Sequence, residues 1–205
     1  MDYFWPIIIG LCLLGLYLFK QESVSIQFAF QQLASQYNGN VKHGIIHYPQ
    51  LFFPHQDLTI QISAMPHEHG AFTYVHFSTH QFSEDCVFKI ISRSTPTKYL
   101  ETDKNLRKQK TSIEEFEKKF TLRAKHDDYL IALLTSEVCD ALSQLDAKYS
   151  IEVRYIEDNY VDSLHNNESF RFDLHIDQVL TKKEAYEQLI QVTLLIVKQM
   201  EKIKR

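Results

Sequence analysis

Residues Leu58 to Ala64 read LTIQISA, with Leu58, Ile60, Ile62 and Ala64 alternating with Thr59, Gln61 and Ser63. Side chains of a strand point alternately to its two faces, so this spacing predicts a strand with one buried and one wet face. The same period returns in Tyr149, Ile151, Val153 and Tyr155, and again in Phe170, Phe172, Leu174 and Ile176. Phe72 to Thr79 and Val87 to Ser92, rich in aromatic and β-branched residues, read as further strands, and Val41 to Tyr48 as a less regular one. Helical spacing separates these stretches. In Ser25 to Tyr37, Ile26, Phe30, Leu33 and Tyr37 share one face, and Asn38-Gly39 ends the helix with Gly39 as its cap. Phe116 to Ala124 reads as a strand leading to Asp127-Asp128, which suit a helix start. Leu130, Leu133, Leu134, Val138, Leu142 and Leu145 continue that helix, with a kink or restart at Thr135-Ser136. Thr181-Lys182-Lys183-Glu184 has the capping-box pattern and opens an amphipathic helix through Leu189, Val192, Ile196 and Met200. Period-two strands, short turns such as Asp158-Asn159, and no regular βαβ alternation together predict an α+β fold: an antiparallel sheet with helices packed on one face. The expected core includes Leu58, Ile60, Ile62, Leu134, Leu142, Ile151, Val153, Phe172, Leu174 and Leu189.

Composition narrows the classes. The 205 residues are 44% hydrophobic and 23% charged, which excludes a disordered chain. A mean hydropathy of -0.27 excludes a polytopic membrane protein. The formal net charge of -4 gives no electrostatic footprint for nucleic acid, and three Cys are too few for a disulfide scaffold.

Tyr3 to Phe19 reads YFWPIIIGLCLLGLYLF, 17 residues without a charge. At 1.5 Å per residue this reaches about 25 Å, the short end of a membrane span. Pro6 sits in the first turn, where its missing N–H is tolerated, and Trp5, Tyr3 and Tyr17 flank the run as interface aromatics do. The flank Met1-Asp2 carries no Lys or Arg, unlike a signal peptide, so an uncleaved anchor is expected, although Ser23-Val24-Ser25 offers a small-x-small site. Cys12 follows Leu11 and does not fit a lipoprotein cysteine. Lys20 is the only flanking cation, which places the following domain in the cytoplasm. The expected organisation is a transmembrane anchor over 1–20 and one domain over 21–205. That domain divides into a first half (21–93), a polar linker (94–115) with the basic run Lys104, Arg107, Lys108 and Lys110, and a second half (116–205). Expected partners are membrane lipid, through the anchor, and a protein.

The stretch FEKKFTLRAKHDDYLIALLTSEVCDALSQL, followed by YSIEVRYIEDNYV, resembles an uncharacterised bacterial family of membrane-anchored α+β proteins. The residues carrying the resemblance are Phe116 and Phe120 of an F-x-x-x-F strand, Asp127 at the helix start, Leu133-Leu134-Thr135, and Leu142 and Leu145 ahead of the following strands. It covers residues 112 to 176. The resemblance implies a fold and a membrane location but no catalytic residues.

The chemistry-bearing feature is histidine: His43, His47, His55, His67, His69, His76 and His80 are seven of the ten in the chain. Imidazole is the commonest metal ligand and titrates near neutrality. His67-Glu68-His69, between two strands and beside Pro66 and Gly70, is the one group spaced to share an ion, so His67 and His69 are the candidate ligands for Zn(II) or Ni(II). With a loop over residues 65 to 71, His76 is expected opposite about Ile60, about 13 Å from the tip, too far to complete the site. No metal or other cofactor is therefore expected. The chain contains no G-x-S-x-G, P-loop, G-x-G-x-x-G, H-E-x-x-H or C-x-x-C pattern. Cys86, read on a strand, and Cys139, read on a helix, are expected to be structural thiols; in an oxidising compartment they would be candidates to pair. The expected function is a membrane-tethered, non-enzymatic domain that binds protein or organises an envelope assembly. The alternative is a metal-dependent or metal-sensing protein using residues 43–80.

Overall fold

Lys20 to Val24 (KQESV) contains no Gly or Pro and three good helix formers, so nothing stops a helix between the apolar run and the amphipathic stretch after it. In the computed structural model, which describes residues 4–43, 47–67, 70–79, 82, 84–95, 106–157 and 170–204, the two are one helix. This helix, α1 (Phe4–Tyr37), has 34 residues, about 51 Å at 1.5 Å per residue. The expected boundary at residue 20 falls inside it. The helix ends by the left-handed route, but Asn38 rather than Gly39 takes the positive φ, at 53°. The Gly39 N–H then donates back to the Ala34 carbonyl at 2.8 Å. Gly39 is needed for a different reason: a Cβ there would lie 2.4 Å from the Phe52 carbonyl oxygen.

Among the described residues nine strands form one antiparallel sheet. They are β1 (Asn40–Lys42), β2 (Gln50–His55), β3 (Leu58–His67), β4 (Gly70–Thr79), β5 (Phe88–Ser92), β6 (Arg107–Gln109), β7 (Phe120–Ala124), β8 (Ile151–Glu157) and β9 (Phe170–Ile176). Their order is β1-β2-β3-β4-β9-β8-β5-β7-β6. The two halves of the chain meet where β4 pairs with β9, and β5 inserts between β8 and β7.

Cross-strand register explains the core. Ile62 pairs with Val75, Val75 with Leu174, Leu174 with Val153, Val153 with Ile90, and Ile90 with Leu122. All six are buried. The helices α2 (Glu114–Lys119), α3 (Asp127–Leu133), α4 (Ser136–Asp146) and α5 (Lys183–Lys204), with the C-terminal half of α1, bury apolar residues in the same core as this inner row. The ring of Phe30 meets Tyr186 at 4.8 Å, tying α1 to α5, and Tyr37 meets the inward Phe53 at 5.2 Å. Thr73, also inward, donates to the Gln178 carbonyl at 2.8 Å and accepts from the Leu180 N–H at 2.9 Å, which pins the chain entering α5. Every residue of the expected core is buried.

Several expectations are corrected. Phe116 lies on α2, not on a strand; its ring stacks on Phe120 at 4.3 Å, so F-x-x-x-F is a helix-to-strand joint whose i,i+4 spacing is helical. The 94–115 linker holds β6 and the first two residues of α2, and Leu106 within it is buried. Among the described residues Val41 to Tyr48 contributes the end of β1, while the unexpected β2 follows it. Pro54 fits there because β1 pairs only with Gln50 to Phe52, leaving that side of Pro54 without a ladder hydrogen bond to lose. Cys86 ends a short 3-10 turn, Glu84–Cys86, rather than lying on a strand. Of the kink or restart expected at Thr135-Ser136, the structure has the restart: Leu133 ends α3, and Thr135 caps α4, its hydroxyl accepting from the Val138 N–H at 3.4 Å. The Asp158-Asn159 turn lies outside the described residues.

Candidate functional site: the outer face of the sheet

The residues one step out of phase with the core row form a second row on the opposite face. Gln61 pairs with His76, His76 with Asp173, Asp173 with Arg154, Arg154 with Lys89, Lys89 with Arg123, and Arg123 with Lys108. Every member is polar. No two come from the same strand, so the row exists only through register.

Its centre is Asp173, 3% exposed. Arg154 Nε and Arg171 Nε donate to the same oxygen, Oδ2, at 3.0 and 2.8 Å. His175 Nε2 stands 3.9 Å from Oδ1. Burial by itself would raise the Asp173 pKa, but the interactions with His175, Arg154 and Arg171 outweigh it and hold the carboxyl far below its usual range. A carboxylate clamped this way stays ionised at neutral pH and is a poor general base. Beside it Tyr74 stacks on His76, centroids 5.6 Å apart, and tilts against His175 at 6.3 Å. Gln61 Nε2 donates to the Tyr74 hydroxyl at 3.3 Å. Burial raises the Tyr74 pKa, which keeps this phenol neutral.

From Arg154 onward the row is cationic across four adjacent strands. Lys89 is buried, Arg123 half-buried and Lys108 exposed. Like charges directly opposite one another are unfavourable, so this end of the row favours an anionic group. Among the described residues none forms an ion pair with Lys89, Arg123 or Lys108.

The expected metal ligands are only partly placed. His67 is the last residue of β3, its backbone opposite Gly70, so the connection is two residues long rather than the expected 65 to 71. The side chain of His67 and all of His69 lie outside the described residues, as does His80. His76 pairs with Gln61, not Ile60. Among the described residues no group of three or more His, Cys, Asp or Glu is arranged to hold a metal ion. The cluster the structure does form, around Asp173, draws on Arg154, Arg171 and His175, none of which the sequence singled out. Their common signal is the wet phase of β8 and β9.

Elsewhere the chemistry is sparse. None of Cys12, Cys86 and Cys139 is in a disulfide. Burial pushes the Cys139 thiol up to about 11, which makes it inert, as expected of a structural cysteine. A groove of about 440 Å³ between α4 and α5 is lined by Glu137, Asp140, Gln144, Gln188 and Gln191 with Leu195.

The other candidate feature is α1. It is long and apolar enough to cross a membrane, and none of its apolar window is buried in the domain. Its two halves join at Tyr48, whose ring lies 4.8 Å from Phe19 and whose hydroxyl donates to Glu22 at 3.0 Å. Burial, with the Glu22 hydrogen bond and charge, raises that phenol to about 12, so the contact survives any physiological pH. No protein-family model, curated protein or solved structure matches this chain.

Proposed function

We propose that this protein is a single-span membrane protein whose domain is held rigidly at the bilayer surface and acts as a non-catalytic binding module. The observation that carries the reading is the continuity of α1. Trp5, Ile7, Ile9, Leu11 and Leu13 are more than half exposed, while Ile26, Phe30 and Leu33 of the same helix are fully buried in the core. A soluble chain gains nothing from an exposed apolar rod about 20 Å long; a bilayer would cover it. The absence of a linker makes the domain's orientation to the membrane a fixed property, which suits a module that presents one face to a partner. The face we assign is the outer side of the sheet, and the partner we assign is a protein with an acidic surface, matched to Arg123 and Lys108. Lys20 favours the cytoplasmic side for the domain.

Membrane fractionation with a carbonate wash, together with the mass of the mature N-terminus, tests the tether. Release into the wash, or a chain starting near Ile26, removes it. A photo-crosslinker in place of Arg123 tests the surface: the reading expects an adduct that Lys108→Glu abolishes while the domain stays folded. Reporter fusions at the C-terminus decide the side.

A further inference from the structure

We propose that two copies of this chain pair in parallel through α1, along a stripe that begins in the membrane and continues beyond it. The proposal rests on reading α1 as a span. Val24 and Phe28 are 56% and 64% exposed, although they lie past the polar triplet Lys20-Gln21-Glu22. At 1.5 Å per residue they stand about 8 and 14 Å beyond Phe19 along the helix. The hydrocarbon that covers the span therefore does not reach Phe28. A single exposed apolar residue needs no explanation, but these two are in line. Reading back from Phe28, steps of four and three residues meet Val24, Gln21, Tyr17, Leu14 and Gly10, and all are exposed. That is the three–four spacing of a coiled-coil seam.

The direction of the stripe favours a second copy as its occupant. At about 100° per residue, Phe28 points roughly opposite to Ile26, Phe30 and Leu33, the residues that seat α1 in the domain. Two helices in contact through the stripe therefore carry their domains outward, on opposite sides of the pair. Copies of a single-span protein enter the bilayer in the same orientation, so their α1 helices are parallel and each stripe faces its own equivalent, as a two-fold interface requires. Gly10 leaves open space on this face, with nothing within 4 Å of an added Cβ, which lets two backbones approach. Gln21 is the one polar side chain between the apolar positions; facing its twin, it fixes the register as a buried amide does in a parallel coiled coil.

The experiment uses the full chain in membranes, with Phe28→Cys and Val24→Cys compared with wild type and with Gln27→Cys. Gln27 is one residue off the stripe, and the native Cys12 lies on the far side of α1. Val24 and Phe28 are both exposed, so neither change disturbs the core. After mild oxidation and a non-reducing gel, Phe28→Cys and Val24→Cys are expected to give a species at about twice the 24.2 kDa chain, several-fold more abundant than in Gln27→Cys or wild type. Monomer alone, or no excess over Gln27→Cys, overturns the pairing. A carbonate wash of the same membranes reports separately on the span, so failure of the tether and failure of the pair are distinct results.

Discussion

Six adjacent strands carry two rows that differ by one residue of phase. The inner row, Ile62–Val75–Leu174–Val153–Ile90–Leu122, is apolar throughout; the outer row, Gln61–His76–Asp173–Arg154–Lys89–Arg123, is polar throughout. Because side chains alternate along a strand, a register slip of one residue would exchange the two rows. The inner row is a condition for folding at all. The outer row is freer, and the way it is filled, with one clamped carboxylate and then a run of cations, is where the sequence departs from what folding alone requires.

The largest expected effect lies on the inner side. Phe172 is fully buried and stacks on Phe77, centroids 4.9 Å apart. Phe172→Ala is expected to lower stability by about 3–5 kcal/mol, read from the denaturant midpoint of the detergent-solubilised chain. A loss under about 1 kcal/mol would show that the inner row does not govern the fold.

Asp173 tests whether the polar filling of the outer row is dispensable for folding. Asp173→Ala leaves Arg154 and Arg171 facing an uncompensated site, at an expected loss of about 3 kcal/mol. The pH dependence has a fixed sign. The folded pKa of Asp173 lies below its unfolded value of about 4. Its contribution is therefore complete above that pH and is lost as pH falls through it towards the folded value. Wild type should lose stability below about pH 4 more steeply than Asp173→Ala; parallel curves would mean that the arginine clamp contributes nothing to folding.

How far the sequence carried this reading follows from the same two rows. Alternation marks β3, β8 and β9, and the apolar positions of α5 mark its buried face, so the inner side was legible strand by strand. The outer cluster was not. Period two shows that Asp173 and Arg154 are wet, but not that β8 and β9 place them opposite each other, nor that β4 brings His76 alongside. Register between strands far apart in sequence is set by packing, not by local pattern. Other misses were local. QLFFPH lacks alternation and contains Pro54, so β2 gave no signal. FEKKF satisfies both a helical i,i+4 pair and a short strand, and α2 took the first reading because Phe116 closes on Phe120. KQESV offered no break, and splitting α1 there read a change of polarity as a change of structure.

Two smaller changes sharpen the contrast. Thr135→Ala removes the cap that starts α4 over the inner row; with the bond at 3.4 Å the expected loss is about 1 kcal/mol or less, restored by Thr135→Ser. Arg123→Ala, on the outer row, is expected to stay within about 0.5 kcal/mol of wild type by the same measurement, because it forms no ion pair among the described residues and stands opposite Lys89 and Lys108. A loss above about 1 kcal/mol would make the cationic run a structural element rather than a surface left for a partner.

The smallest expected effect concerns the histidines that first drew notice. Pairing continues to His67 opposite Gly70, so His76 lies six residues from the tip along β4, about 20 Å at 3.3 Å per residue. That is farther than the sequence estimate and well beyond the reach of a shared ion. Two imidazoles with the Glu68 carboxylate still leave Zn(II) one ligand short of a closed tetrahedral site, and the outer face, where Tyr74 touches both His76 and His175, commits its carboxylate to arginine. Thermal unfolding with and without zinc or nickel is therefore expected to give the same midpoint in wild type and in the His67→Ala/His69→Ala double variant. A metal binding only the folded state at a hundred times its Kd would stabilise by about 2.7 kcal/mol, a shift no scan would miss. A rise present in wild type and absent in the double variant would move the functional site from the outer face of the sheet to the tip of the β3–β4 hairpin.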